Sequence, residues 1–358
     1  MINSVQLKNF GPLTEIDWQN LGPINLVIGN NGCGKSFLLK AMYSAMRTLE
    51  DYRRGDNPES ANDILTKKLY WTFETQKIGD LVARSSGAAL SFSFKLDQKN
   101  LIYGFDKNAV STIENLQNQI APRIDNSIFL PAKEILSIHH IILKSRQQDK
   151  VFGFDDTYFD LALALQIEEV AFRLISESLR EIQNLPSTPD YTDHSFSSAL
   201  LEAKKILGDL IGGYVNYDKT THRWYFKKEH EYFSMGATAE GIKKVAILDR
   251  LLSNNYLSEK SIVFIDEPES TLHPAAISIF LDIVGLLAKH GIQFFIASHS
   301  YTVVKKLFLL AQQQQFSIPV ISKEGNNWLQ SDLLHDMPDN PIIDESIRLY
   351  KEEVNLPS

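Results

Sequence analysis

The chain has 358 residues, enough for two ordinary domains or for one large α/β domain with an insertion. Its composition, 44% hydrophobic and 22% charged, is that of an ordinary globular protein and excludes fibrous and disordered classes. The net charge of −8 argues against non-specific binding of nucleic acid by the whole surface, but it allows a local basic groove. The single cysteine, Cys33, excludes internal disulfide bonds and a zinc cage of thiolates.

The start of the chain and its hydropathy indicate a cellular location. The first five residues lack the basic and apolar pattern of a secretory signal. No apolar run approaches the roughly 20 residues that a membrane-crossing helix needs. We therefore expect a cytoplasmic protein with no membrane partner.

The first 28 residues predict three strands. Residues 5–10 and 13–18 alternate between apolar and polar side chains on either side of the turn at Gly11-Pro12. Residues 24–28 form an apolar run, and a helix is predicted from residue 37 to about residue 49. The stretch between this strand and this helix reads Gly29-Asn30-Asn31-Gly32-Cys33-Gly34-Lys35-Ser36.

This stretch satisfies the spacing G-x-x-x-x-G-K-[ST] and lies between a strand and a helix, which predicts a phosphate-binding loop. The glycines let the backbone wrap a polyphosphate with its N–H groups, and Lys35 can reach the terminal phosphates. The Ser36 hydroxyl can coordinate Mg²⁺. The predicted nucleotide-binding residues are Asn30, Asn31, Gly32, Cys33, Gly34, Lys35 and Ser36.

The middle of the chain predicts first mixed and then helical structure. A helix is expected over residues 59–73, a β-hairpin over 89–105, and a short apolar strand over 127–130 that stops at Pro131. Two charged residues, Lys133 and Glu134, follow this strand directly. From residue 155 to 213 the pattern is mostly helical, with one apolar stripe up to residue 179 and a second helix over 195–211.

The last third predicts a hairpin over residues 214–226, a helix over 245–252 and a tail helix over 344–354. Apolar strands over 261–265 and 292–297 flank a helix over 274–288, which predicts a parallel sheet with a crossover helix. Both strands deliver polar residues at their carboxyl ends: Asp266 and Glu267 after the first, and His299 after the second. In an open α/β sheet, ligands bind at this edge.

These three side chains fit the second half of a nucleotide site. Asp266 would hold Mg²⁺, directly or through water, and Glu267 would polarise the attacking water. His299 would hydrogen-bond the γ-phosphate or the same water. The predicted metal ligands are therefore Ser36 and Asp266, and the predicted catalytic residues are Glu267 and His299.

Together the motifs resemble those of ABC-type ATPases: residues 29–36 are similar to Walker A, Asp266-Glu267-Pro268-Glu269 to Walker B, and His299 to the switch histidine. Three further stretches look like the RecF-like and overcoming-lysogenization-defect (OLD) branch. That branch includes ATP-binding subunits of bacterial anti-phage defence operons. The stretches are residues 8–12, 130–134 and 266–274.

The helical pattern over residues 155–213 predicts an insertion between the N-terminal part of an ATPase head (1–154) and its C-terminal part (214–358). The resemblance covers about residues 1–50, 125–140 and 232–310, with a weaker match at the tail, and does not cover this insertion. It implies an α/β head, with a mostly parallel sheet flanked by helices and an antiparallel β lobe. It also implies a homodimer or higher homo-oligomer that binds two ATP molecules, with Mg²⁺, across its interface. In that dimer the signature segment of one protomer caps the ATP of the other; the residues at that position are Thr238, Glu240, Gly241 and Lys243.

Two family motifs are matched incompletely. The signature retains only Gly241 clearly, and its serine is absent or displaced to Ser234 or Thr238. No glutamine corresponds to the Q-loop, although Lys133 and Glu134 are placed for related work. Residues 270–273 fall where the family's D-loop crosses the dimer interface. A glycine at a helix N-terminus still offers backbone N–H groups and a positive dipole end to a γ-phosphate.

Three functions follow from these observations. The first is an ATPase that gates or drives a separate effector, a nuclease or a toxin, in anti-phage defence; about 50 residues after the last core element leave no room for an intrinsic nuclease domain. The second is an ATP-dependent scaffold with little turnover. The third is a RecF-like DNA-binding ATPase, whose contacts would come from basic pairs that otherwise lie on solvated faces. These pairs are Arg53-Arg54, Lys67-Lys68, Lys204-Lys205, Lys227-Lys228 and Lys243-Lys244.

Overall fold

The computed structural model of the chain describes residues 1–84, 87–168, 194–325, 327–338 and 341–356. Its strands are β1 (Ile2–Phe10), β2 (Leu13–Trp18), β3 (Ile24–Ile28), β4 (Leu90–Leu96), β5 (Lys99–Phe105), β6 (Gln117–Asn118), β7 (Ser127–Leu130), β8 (Tyr214–Asp218), β9 (Arg223–Lys228), β10 (Glu231–Ser234), β11 (Ile262–Asp266), β12 (Gln293–Ser298), β13 (Pro319–Glu324) and β14 (Asn327–Asp332). Its α-helices are α1 (Lys35–Asp51), α2 (Ala61–Phe73), α3 (His139–Lys144), α4 (Asp156–Gln166), α5 (His194–Ile211), α6 (Glu240–Ser253), α7 (Pro274–Lys289), α8 (Tyr301–Gln314) and α9 (Pro341–Val354).

A six-stranded sheet in the order β14-β13-β3-β12-β11-β7 forms the centre of the molecule. Its strands are parallel except for β14, which pairs antiparallel with β13. The register sets Asp266 beside Ala297, and Ser298 beside Ile28. The carboxyl ends of β3, β11 and β12 therefore meet at one edge, as the alternation of strands and helices predicts.

Two antiparallel sheets lie outside the central one. The first is the β lobe, in the order β2-β1-β4-β5-β6, and it contains the predicted hairpin β4–β5. The second is a three-stranded sheet, β10-β9-β8, which leads directly into the turn before α6. The predicted α/β fold class, with a mostly parallel sheet and an antiparallel lobe, is confirmed.

The central strands are apolar throughout because both of their faces are covered. Alternate residues of β11 enter different cores: Val263 and Ile265 pack with the helices α4 to α8, whereas Ile262 and Phe264 pack with α1 and the β lobe. All four side chains are at most 1% exposed. This double burial holds the strand ends, and the polar residues that follow them, in fixed positions.

The predicted helical insertion is partly described. Helices α4 and α5 bear out the helical pattern, and the predicted stripe beyond residue 168 lies outside the described residues. Leu161 of α4 and Leu207 of α5 are fully buried in the same core as one face of the central sheet. The boundaries 155 and 213 therefore remain a prediction, and these two helices pack as part of the head.

Several described elements differ from the sequence-based expectation. Helix α6 begins at Glu240, five residues earlier than predicted, and α3, α8, β10, β13 and β14 were not predicted. The β13–β14 hairpin extends the central sheet beyond β3. Within the described ranges, no helix combines the length and the apolarity that crossing a membrane requires.

Candidate nucleotide site

The loop between β3 and α1 depends on left-handed backbone that glycine adopts without strain. Gly32 has φ 79° and Gly34 has φ 103°, and Gly34 is the residue directly before α1. A Cβ at Gly34 would lie 2.6 Å from Cδ2 of Leu13, so a side chain has no room there. The G-x-x-x-x-G-K-[ST] spacing thus produces a tight turn whose first residues, Asn30 and Asn31, are exposed.

Lys35 lies inside this turn. Its side chain is buried, with the residue 5% exposed, and its ammonium donates hydrogen bonds to the carbonyl oxygens of Gly29 (2.8 Å) and Asn30 (3.2 Å). These contacts place the positive charge at the loop, next to the backbone N–H groups at the start of α1. The arrangement is suited to a polyphosphate.

Ser36 and Asp266 meet at the sheet edge, although 230 residues separate them. The Ser36 hydroxyl donates to Oδ1 of Asp266 at 2.9 Å. Burial raises the pKa of Asp266 above its ordinary value, the Ser36 hydrogen bond opposes this shift, and the nearby Glu267 charge adds to it. A hydroxyl and a carboxylate oxygen are hard donors of the kind that Mg²⁺ prefers, so these residues fit the metal.

Glu267 and His299 lie side by side after β11 and β12. His299 Nδ1 lies 3.0 Å from Oε1 of Glu267. Glu267 has left-handed backbone, with φ 47°, and its N–H donates to the Ala297 carbonyl at 2.9 Å. The two side chains are 29% and 39% exposed, so this face of the pair is open to solvent.

Glu269 is a further residue of this site, and its role was not predicted from the sequence. Its Oε1 accepts hydrogen bonds from the Ser298 hydroxyl (2.8 Å) and from the backbone N–H of His299 (2.9 Å). It also lies 3.5 Å from Nδ1 of His299. Glu269 therefore holds the turn that carries His299, and the last acid of Asp266-Glu267-Pro268-Glu269 was the signal for it.

Lys244 is a second residue whose place was missed. Its ammonium donates to the carbonyl oxygen of Glu267 and more weakly to that of Ala132 (3.4 Å). The residue is 5% exposed, and burial lowers the pKa of its ammonium to about 8, against the pull of the nearby carboxylates. The expectation that Lys243-Lys244 lies on a solvated face is therefore wrong.

The predicted signature segment is held by its own chain. The Thr238 hydroxyl donates to the Ser234 carbonyl at 3.1 Å, and Lys243, 2% exposed, contacts Glu240 (2.5 Å) and Glu134 (3.4 Å). The Glu240 side chain is 52% exposed at the start of α6. Gly241 packs closely against the turn that follows β11, where a Cβ on Gly241 would lie 3.1 Å from the Thr271 carbonyl oxygen.

The structure thus brings the predicted nucleotide-binding, metal-binding and catalytic residues together and leaves the predicted signature residues apart from them. Side chains from the loop and from the ends of β11 and β12 meet at one edge. Within the described residues, the signature segment reaches that edge through Lys244, which contacts the Glu267 backbone. The described hydrogen bonds and ion pairs do not join the signature residues to the loop at residues 29–36.

The parallel central sheet and the G-x-x-x-x-G-K-[ST] loop at its edge define a P-loop α/β fold. The fold is similar to that of an Smc head bound to the C-winged helix domain of ScpA, with a TM-score of 0.53, 13% identity, and coverage of 92% of this chain and 97% of that chain. It is also similar to an Smc head with an extended coiled coil, bound to the C-terminal domain of ScpA derived from Pyrococcus furiosus. There the TM-score is 0.50 and the identity 12%, over 99% of both chains.

A match to a protein family is more specific than the likeness of the fold. Residues 24–305 match the family described as "AAA domain, putative AbiEii toxin, Type IV TA system", and the chain belongs to this family. It is also similar to an uncharacterized protein, MJECL10, from Methanocaldococcus jannaschii. The two are 25% identical over 210 residues, which cover 53% of this chain and 92% of that protein.

Proposed function

We propose that this protein binds ATP with Mg²⁺ at residues 30–36 and hydrolyses it to ADP and phosphate. The observation that carries the proposal is the convergence at one sheet edge: Ser36 lies 2.9 Å from Asp266, and the Glu267 carboxylate lies 3.0 Å from His299. Residues distant in the chain contribute complementary chemistry to one place. An ordinary glycine-rich turn does not require a metal-ligating pair and a base–histidine pair beside it.

In this proposal each residue has one task. Lys35 and the backbone N–H groups of residues 30–36 bind the phosphates, while Ser36 and Asp266 hold the metal. When bound, Mg²⁺ would neutralise charge on the phosphates. Glu267 accepts a hydrogen bond from a water and takes its proton as the water's oxygen attacks the γ-phosphorus; the bond from the γ-phosphorus to the bridging oxygen breaks, and ADP leaves. His299 holds the γ-phosphate or that water, and Glu269 fixes the backbone that carries it.

We further propose that a second copy of the chain closes the site. Glu267 and His299 are partly exposed, and a carboxylate base is most effective when bulk water is excluded. The start of α6 offers backbone N–H groups at Gly241 and a positive helix end, which suit a γ-phosphate of the partner protomer. Thr238 and Lys243 would act mainly by holding this helix start in place, because their own chain binds their side chains.

The decisive experiment compares steady-state ATP hydrolysis by the wild type and by Glu267→Gln. We expect the variant to lose about 100-fold or more in kcat, since it removes the base but keeps the size and a hydrogen-bonding oxygen. We also expect Glu267→Gln to accumulate an ATP-bound dimer in sedimentation. Asp282→Asn, on the exposed end of an ion pair with Lys306, is the control and should leave kcat unchanged.

A scaffold that binds ATP with little turnover is a second candidate. The observation in its favour is the signature segment, where the polar side chains of Thr238 and Lys243 bind their own chain and leave few groups for a partner's phosphate. Equal and negligible hydrolysis by the wild type and Glu267→Gln, with dimers that form in ATP, would establish this function and overturn the first.

We propose that the ATPase works with a separate effector, a nuclease or a toxin, in anti-phage defence. Support for a defence role comes from the OLD-like motifs and from the family description, which names a putative AbiEii toxin of a type IV TA system. Purification of the protein from its native host should recover such an effector.

A DNA-binding ATPase remains the alternative, and its candidate contacts are fewer than the sequence indicates because Lys68, Lys243 and Lys244 are buried or ion-paired. A clean dimer whose hydrolysis rises with DNA, and falls again with salt, would favour that alternative over a separate effector.

A further inference from the structure

The backbone of Glu267 is held from several sides. Its N–H donates to the Ala297 carbonyl at 2.9 Å, and its carbonyl oxygen accepts from the N–H of Ser270 at 2.9 Å and from the ammonium of Lys244. These contacts maintain a glutamate at φ 47°, a left-handed conformation that is unfavourable for a residue with a side chain. Because the backbone sets where the side chain points, they also set the direction of the carboxylate toward His299.

Lys244 differs from Ala297 and Ser270, the other two residues that bond to the Glu267 backbone. Ala297 lies in the buried strand β12 and Ser270 belongs to the same turn as Glu267, whereas Lys244 comes from α6, directly after the predicted signature residue Lys243. Its ammonium donates to two backbone oxygens, those of Glu267 and Ala132. The nearby carboxylates of Asp266, Glu267 and Glu269 raise its pKa but do not accept its hydrogen bonds. A buried ammonium is kept in such a place at the expense of its hydration.

The start of α6 also contacts the turn after Glu267. Gly241 packs against the Thr271 carbonyl and against Leu272, at distances that leave no room for a side chain without a shift. The helix start and residues 267–272 thus form one packed unit. A displacement of the helix would move the Glu267 carbonyl through Lys244.

We propose that Lys244 is a positioning residue, which holds the Glu267 carbonyl and so couples the direction of the Glu267 carboxylate to the position of the α6 start. The inference rests on the proposed function, because it assigns a role in that same site. Binding of a partner protomer's nucleotide at Gly241 would then change the direction of the Glu267 carboxylate in the protomer that contributes the helix.

Lys244→Met tests the proposal, because methionine keeps the length and apolar stem of lysine and removes its donors. Arg250→Met is the matched control. Arg250 lies on the same helix and donates to two backbone carbonyls, those of Leu165 and Ile167, both at 3.1 Å and both away from the sheet edge. Both variants remove a cation that bonds to backbone oxygens, so a general loss of helix anchoring would affect them alike.

The first readout is kinetic. We expect Lys244→Met to lose about 30-fold or more in kcat while its affinity for a fluorescent ATP analogue stays within about threefold, since a small misplacement of a catalytic group is costly. Arg250→Met should keep kcat within about threefold of the wild type. If Lys244→Met keeps kcat as well as Arg250→Met does, or if weaker ATP binding accounts for its lost rate, the proposal is overturned.

The second readout does not depend on hydrolysis. Amide hydrogen exchange of a peptide covering residues 265–272 should become about tenfold faster in Lys244→Met and stay unchanged in Arg250→Met. Unchanged exchange in both variants would overturn the proposal even if kcat fell. If the wild type proves inactive, the proposed hydrolysis fails, and the exchange data alone decide whether Lys244 holds this segment.

Discussion

The carboxyl edge of the central sheet and the start of α6 would both contact ATP, but they are built differently. At the sheet edge, side chains from three segments face one place: Ser36 meets Asp266, and Glu267 meets His299. At the helix start, Thr238 and Lys243 bind their own chain, and mainly backbone remains available near Gly241. In the proposed function, the sheet edge would therefore carry out the chemistry within one chain, whereas the helix start would recognise the γ-phosphate of the partner protomer and close its site.

Loss of motif residues therefore has a larger effect at the sheet edge than in the signature segment at the start of α6. A catalytic constellation needs particular side chains, so the sheet edge must keep its serine, aspartate, glutamate and histidine. A helix start recognises a phosphate through N–H groups and the helix dipole, which many sequences provide. The missing signature serine is thus a smaller defect than it appears from the motif alone.

The largest expected effect concerns the sheet edge. Lys35→Met removes the ammonium held by Gly29 and Asn30, so ATP affinity should fall about 100-fold, or about 3 kcal/mol. Titration with a fluorescent ATP analogue measures this loss. Lys306→Met, which removes an ion pair between α7 and α8, serves as the control and should bind normally. Normal binding by Lys35→Met would show that the loop is not the phosphate site.

A smaller effect is expected at His299, which assists a base that remains present. His299→Gln should lower kcat by about 10- to 100-fold and leave ATP affinity within about threefold. Steady-state kinetics together with equilibrium binding separate the two quantities. A loss confined to KM would mean that His299 binds substrate and takes no part in the chemical step.

Two variants of the helix start sharpen the comparison further. Gly241→Ala forces a Cβ to within 3.1 Å of the Thr271 carbonyl, so ATP-dependent dimerisation should weaken about tenfold while the monomer still binds ATP. Thr238→Val removes only a bond to the Ser234 carbonyl and should change dimerisation less than about threefold. Analytical ultracentrifugation with and without ATP measures both. The reverse order of effects would assign recognition to the Thr238 side chain.

A different kind of effect, on stability against pH, concerns His139 of α3 and leaves the sheet edge untouched. His139 is buried against Trp224, and burial lowers the pKa of its imidazole to about 4. The unfolded chain, with a pKa of about 6.5, binds the proton first, so stability is full above pH 6.5 and is lost as pH falls toward 4. At most about 3 kcal/mol is involved.

Urea unfolding at a series of pH values measures this contribution. His139→Gln should lose less stability than the wild type between pH 6.5 and pH 4, while His140→Gln, an exposed neighbour, should follow the wild type. Parallel curves for all three proteins would mean that His139 is protonated in the folded state as readily as in the unfolded chain.

Sequence alone predicted the parts of the molecule where pattern and packing agree. The strands β3, β11 and β12 are apolar because both faces are buried, and the glycines at residues 29–34 match a backbone that only they adopt freely. It missed β13, which begins at a proline, and the largely exposed edge strand β14, because neither shows the alternation of a half-buried strand.

The same division holds at the site. Ser36, Asp266, Glu267 and His299 each follow a recognisable element, so their convergence could be anticipated from the fold. The position of Lys244 could not, because its partners, the carbonyl oxygens of Ala132 and Glu267, are 112 and 23 residues away in the chain. Backbone acceptors leave no trace in side-chain identity, and a pair of lysines therefore looked like a solvated surface.

At Glu267 the residue that best suits the left-handed backbone is not the residue that the proposed hydrolysis needs. Asparagine accepts this conformation more easily than glutamate does, so Glu267→Asn should fold at least as well while it loses turnover. A screen of variants for thermal survival alone would thus enrich substitutions at residue 267 and discard the proposed hydrolysis. Directed evolution of this protein needs a selection for hydrolysis at every round.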